Sequence, residues 1–137
     1  MIVKRIKNII TKKMKSYKDL DIYNLSLALF YKTHTISLKL PQYELHELGS
    51  QIRRSSDSVA TNIVEGYGRK RYKQDFIKFL TYSHASNLDT LCHLEKLQFL
   101  YPDLSDEFEV LKNEYDILGA KLFSFLRYVE NNWNKFE

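Results

Sequence analysis

The sequence predicts an all-α protein, an antiparallel up-down-up-down four-helix bundle, on three observations. Apolar residues recur every three or four positions along most of the chain. Only 4 Gly and 2 Pro interrupt 137 residues, too few for the turns of a sandwich or barrel. No alternating strand segment and no Asn-Gly or Asp-Gly hairpin signal competes. The length sets one domain, and a chain of this size buries roughly two-thirds of its unfolded surface. Its 44% hydrophobic, 14% aromatic and 28% charged residues are a globular profile.

The first helix is expected from about Leu20 to Leu40. Tyr23, Leu27, Phe30 or Tyr31, His34 and Leu38 form its stripe, Asp19 is its candidate N-cap, and Pro41 ends it. The second begins near Gln42 to Glu44 and carries Leu45, Leu48, Ile52, Ser55, Val59, Asn62 and Ile63. It stops at Glu65-Gly66-Tyr67-Gly68, where a left-handed glycine would close it. Ser55, Ser56, Ser58 and Ala60 make its middle small-sided and open to close approach, with serine hydroxyls able to bond their own helix carbonyls. The third helix, Lys73 to Leu100, is lined by Phe76, Phe79, Leu80, Ser83, Leu88, Leu91, Leu94 and Leu97. Tyr101-Pro102-Asp103 breaks it, and Ser105 is the candidate N-cap of the fourth. Phe108, Leu111, Tyr115, Leu118, Leu122, Phe125, Leu126, Val129 and Trp133 then give the cleanest stripe in the chain.

Charge divides unevenly. Residues 1–18 hold seven basic groups and no acid, leaving 14 basic against 17 acidic groups in the rest, a net of −3. The pI near 9.0 therefore belongs to the head of the chain. We read residues 1–16 as a basic extension and 17–137 as the bundle. Ile2, Ile6, Ile9, Ile10 and Met14 would make a cationic amphipathic helix of that head, suited to an anionic surface. A solvated tail, or a true translation start at Met14, is the plainer reading of the same residues. The head makes a poor signal peptide, because Lys4, Arg5 and Lys7 interrupt any apolar core and no small-residue cleavage site follows. No apolar run approaches the length of a membrane span, and the lone Cys92 cannot form an internal disulfide. A cytoplasmic location, with no membrane span, is the expectation.

Motifs for catalysis and metal binding fail one by one. His46-Glu47 lacks the second histidine of a zinc-protease helix, since position 50 is Ser50. No Glu-x-x-His pair offers a di-metal site. Cys92 and His93 diverge on a helix, and Cys92 reads as a buried structural cysteine. No enzyme, metal or cofactor is expected. Two features remain. The first is the turn Gly66-Tyr67-Gly68-Arg69-Lys70-Arg71-Tyr72-Lys73, with four cations in five residues and two tyrosines able to stack on unpaired bases. An ordinary solvated turn is the plainer reading of the same residues. The second is Gln51, Arg53, Arg54, Asn62 and Glu65 on the second helix, a set suited to packing or to a subunit interface.

The stretch from Gln51 to Arg69, QIRRSSDSVATNIVEGYGR, resembles the signature Q-x-R-R-A-x-x-S-[IV]-P-x-N-I-A-E-G of the 23S rRNA intervening-sequence protein family, also called S23 ribosomal or four-helix bundle proteins. Asp75-Phe76-Ile77-Lys78-Phe79-Leu80, Ala85-Ser86-Asn87 and Tyr115-Asp116-Ile117-Leu118-Gly119 extend the likeness across residues 17–133. The resemblance implies a bacterial four-helix bundle that forms a homo-oligomer, commonly a pentamer. It is related to the accessory proteins of diversity-generating retroelements, which bind a reverse transcriptase and nucleic acid. Gln51, Asn62, Glu65 and Gly66 fall in the motif as packing or interface residues. Ala60 and Val64 depart from its proline and alanine, and Ser55 and Ser56 replace small apolar residues.

Three functions compete. The leading one is a non-catalytic, oligomeric RNA- or DNA-associated adaptor with Arg53, Arg54, Arg69, Lys70, Arg71 and Lys73 on phosphate. The second is a scaffold that docks a partner protein such as a reverse transcriptase, with no direct nucleic-acid role. The third, an enzyme using Glu65 and a histidine, has no motif behind it.

Overall fold

A computed structural model describes residues 14–133, and the head up to residue 13 lies outside them. Four long helices dominate: α1 Asp21–Ser37, α2 Leu48–Gly68, α3 Lys73–Leu100 and α4 Ser105–Asn131, with no strand among the described residues. Cross-helix contacts define the packing. Thr33 of α1 and Lys39, two residues past its end, meet Tyr115 and Glu107 of α4. Ser55 and Ser58 of α2 meet Thr90 and Ser86 of α3, while Phe76 and Gln98 of α3 meet Phe125 and Glu109 of α4. In every pair the numbers rise on one helix as they fall on the other, so these neighbours run antiparallel. α1 also packs on α2, which closes a four-helix bundle in the order α1, α2, α3, α4. Among the described residues no helix is long and apolar enough to cross a membrane.

The α4 stripe forms the core as its spacing predicts: Phe108, Leu111, Tyr115, Leu118, Leu122, Phe125 and Val129 are all buried. Each such side chain contributes about 1.5–3 kcal/mol of transfer free energy. The α1 stripe is a correction. Its buried residues are Ile22, Ser26, Leu29, Thr33 and Ser37, while Tyr31, His34 and Leu38 are exposed. The face turned inward is half hydroxyl, so counting apolar residues selects the wrong side. Those hydroxyls are satisfied: Ser26 and Ser37 donate to carbonyls in their own helix, and Thr33 does so while meeting Tyr115 Oη at 2.6 Å. On α3 the same preference places Ser83, Asn87 and Thr90 inside and leaves Leu88 exposed. Burial and the Thr33 contact act oppositely on Tyr115, and burial prevails, pushing its hydroxyl up to about 12.

Helix ends depart from the sequence reading in instructive ways. Asp19 does not cap α1; it closes a capping box with Ser16 around the turn Tyr17–Asp19, and Leu20 precedes α1 without a side-chain cap. α1 ends at Ser37, and Pro41 opens a separate helical turn, Gln42–Leu45. A break at His46 and Glu47 then separates that turn from α2. The break is held by buried Glu44, which accepts the Leu48 amide at 3.1 Å and the Tyr101 hydroxyl. Hydrogen bonding to Glu44 raises the Tyr101 hydroxyl above its ordinary range, with Tyr43 adding to it. Ser105 is the first residue of α4 rather than its cap. Cys92, expected inside, is exposed.

No described glycine has a positive φ, so closure of α2 by a left-handed glycine, at Gly66 or Gly68, is also a correction. Gly66 lies inside α2 and is buried. A Cβ there would stand 3.1 Å from Phe79 Cβ and 3.2 Å from a Phe76 ring carbon, so its lack of a side chain lets α3 come close. Further along, the small-sided middle of α2 meets α3 through hydroxyl contacts at Ser58–Ser86 and Ser55–Thr90, and Ser83 donates to the Val59 carbonyl at 2.7 Å.

Candidate nucleic-acid interface

The turn between α2 and α3 presents its four cations in two different states. Arg69 is held in place: its guanidinium lies 3.3 Å from Glu65, 3.9 Å from Asp75 and 5.0 Å from the Phe79 ring centroid. Lys70 folds back on Tyr67, donating to its hydroxyl at 2.9 Å with Nζ 4.0 Å from the ring centroid. Arg71 and Lys73 make no ion pair among the described residues. Arg71 is exposed beside Tyr72, with the guanidinium carbon 5.9 Å from that ring centroid. The tyrosines divide in the same way. Tyr67 is partly buried, with Tyr17 at its edge 6.3 Å away, whereas Tyr72 is 61% exposed.

Arg53 and Arg54 do not join this cluster. At 1.5 Å per residue they lie about 22–24 Å from Arg69 along the axis. Arg53 also spends its guanidinium internally, donating to Ser37 Oγ at 2.8 Å and to the Leu45 carbonyl. It ties the end of α1 to the helical turn preceding α2. Arg54 is exposed and has no ion pair among the described residues. Of the motif residues, Gln51 is exposed and Glu65 serves Arg69. Asn62 donates to the carbonyl and hydroxyl of Ser58, both at 2.9 Å, and Ser58 reaches Ser86 on α3. Sequence reasoning missed Lys78, whose Nζ stands 5.7 Å from the Phe79 ring and 5.9 Å from the Tyr82 ring. Its position one turn into α3, beside two aromatics, was the available signal.

These cations sit in a wider field. Residues 14–29, 61–83 and 119–133, the end of the bundle with the turn, hold nine basic and five acidic groups. Residues 30–60 and 84–118 hold six basic and eleven acidic. The bundle is therefore positive at one end and negative at the other, which its overall charge conceals.

A second surface lies between α1 and α4. Tyr31, Thr35, Ile36, Val110 and Leu111 line an open, largely apolar groove of about 520 Å³, with the pairs Lys32–Glu114 and Lys39–Glu107 at its margins. Tyr31, Leu38, Val110 and Ile117 are all more than half exposed along this face.

No curated protein matches the chain. The family profile described as 23S rRNA-intervening sequence protein matches residues 18–124, which takes in all of α1, α2 and α3 and most of α4. The motif in α2, the tight crossing at Gly66 and this match over most of the bundle agree, and the chain belongs to the 23S rRNA-intervening sequence protein family.

Proposed function

We propose that this protein is a non-catalytic, homo-oligomeric adaptor of the cytoplasm that associates with RNA or DNA through the turn between α2 and α3. One observation carries the reading: Arg71 and Lys73 are left without carboxylate partners at the positive end of the bundle, beside an exposed tyrosine. Arg69 and Lys70 shape the turn and add to its potential, and Lys78 extends it. Arg54 contributes only if assembly brings a neighbour's surface near it, and Arg53 serves the fold. A single turn with two free cations binds weakly, so the adaptor works as an assembly in which repeated turns add by avidity. The exposed apolar face of α1 and α4 supplies an assembly surface, and family resemblance makes five the expected number.

The test is fluorescence anisotropy of labelled structured rRNA fragments with the full chain at 25 mM and 200 mM salt. Binding should weaken steeply with salt, because released counterions supply the affinity. The double substitution Arg71→Ala, Lys73→Ala should abolish most binding. Arg53→Ala should instead lower stability by about 1–3 kcal/mol, the cost of stranding its two partners, with less effect on affinity. No binding at 25 mM salt removes the reading.

The groove between α1 and α4 favours a second reading, a scaffold that docks a partner protein such as a reverse transcriptase. Capture of that protein after nuclease treatment, undiminished by the Arg71 and Lys73 substitutions, would support it.

A further inference from the structure

We infer that the turn between α2 and α3 selects unpaired nucleotides over duplex, with Tyr72 as the stacking face and Arg71 and Lys73 on the flanking phosphates. This rests on the reading of the turn as a nucleic-acid contact and specifies which form of nucleic acid it takes.

The inference comes from comparing the three tyrosines around the cations. Tyr67 is occupied within the protein, since Lys70 lies on its face and Tyr17 at its edge. Tyr82 is packed edge-on against Phe79, with ring centroids 5.5 Å apart. Tyr72 touches no other aromatic ring among the described residues, projects at the N-terminal boundary of α3 and keeps 61% of its surface exposed. An exposed tyrosine ring with no aromatic neighbour among the described residues, shared only with the Arg71 head, is a surface for a base, because any base offers a π-face to it. A duplex hides those faces in its own stack and offers the turn only phosphates. Arg71, whose guanidinium carbon lies over the same ring 5.9 Å from its centroid, can swing aside to the phosphate of a stacked nucleotide. Arg69 and Lys70, anchored to Glu65, Asp75 and Tyr67, hold the turn open instead of competing for the ligand.

The experiment measures anisotropy of a labelled 20-nucleotide single-stranded RNA and of the same strand annealed to its complement. Both are titrated with the full chain at low salt. The single strand should bind at least about fivefold more tightly. Tyr72→Ala should weaken single-strand binding about tenfold and leave duplex binding unchanged; Tyr72→Trp should retain it. Tyr82→Ala should change neither by more than about twofold. Equal affinity for strand and duplex, or equal loss on both from Tyr72→Ala, overturns the inference while leaving the phosphate reading standing. Failure of both nucleic acids to bind removes the underlying reading as well. Because Tyr72 is exposed, Tyr72→Ala should keep the wild-type circular dichroism spectrum and melting temperature.

Discussion

Tyr115 shows how one buried hydroxyl can couple this bundle to pH. It is fully buried in α4 with its oxygen against Thr33 of α1, and burial lifts its hydroxyl to about 12 from an ordinary value of 10. A group whose folded value is raised stabilises the fold fully below its unfolded value and loses that contribution as pH climbs through the folded one. The window is therefore pH 10 to about 12, and the loss attributable to Tyr115 is about 2–3 kcal/mol. Tyr115→Phe should cost about 0.5–2 kcal/mol at pH 8 from the broken hydrogen bond, yet decline more gently in urea titrations above pH 10. Some slope should remain, since Tyr23 and Tyr101 are raised as well. Equal slopes in the two proteins would refute the assignment. At this scale the sequence was legible where residue type alone constrains the answer. Ser55 and Ser56 bond their own helix carbonyls as serines in helices do. Cys92 faces out and Arg53 bonds inward because a side chain's direction depends on which neighbouring helix it faces, and the sequence does not encode that neighbour locally.

Among the elements, the two helices that bracket the chain make the sharpest contrast. α4 was read almost residue by residue because its inward face is continuous in large apolar groups. On α1 the apolar stripe falls one position out of phase with the buried face, because serine and threonine fill the inward positions while tyrosine and leucine face out. The break before α2 was invisible for a related reason. Glu44 holds it by accepting an amide and a phenol, the latter from Tyr101 far along the chain. Glycines test the helix packing directly. A Cβ at Gly49 would come within 2.9 Å of the Glu44 carbonyl oxygen, a backbone atom that cannot step aside, whereas one at Gly68 meets nothing within 4 Å. Gly49→Ala should thus destabilise the bundle, by about 1–3 kcal/mol. Gly68→Ala should raise stability by about 0.4–1 kcal/mol through reduced freedom of the unfolded chain. Opposite shifts in melting temperature would confirm both, and a stabilising Gly49→Ala would contradict the close approach.

For the whole molecule, the exposed ridge of Tyr31, Leu38, Val110 and Ile117 makes a prediction about assembly. If the proposed assembly forms through this ridge, Val110→Lys with Ile117→Lys should convert it to single chains in light scattering while preserving helical content. An unchanged mass would place the contacts on another face. The positive and negative ends bear on the same question. In a closed ring whose bundles stand parallel to the rotation axis, every copy would point the same way, so all the cationic turns would crowd one rim and all the acidic ends the other. Neighbours in such a ring would repel at both rims, and mobile ions that shield them would tighten the circle while loosening any hold on a polyanion. A strand lying along the crowded rim would act as a shared counterion, so ligand and circle would strengthen one another in dilute electrolyte.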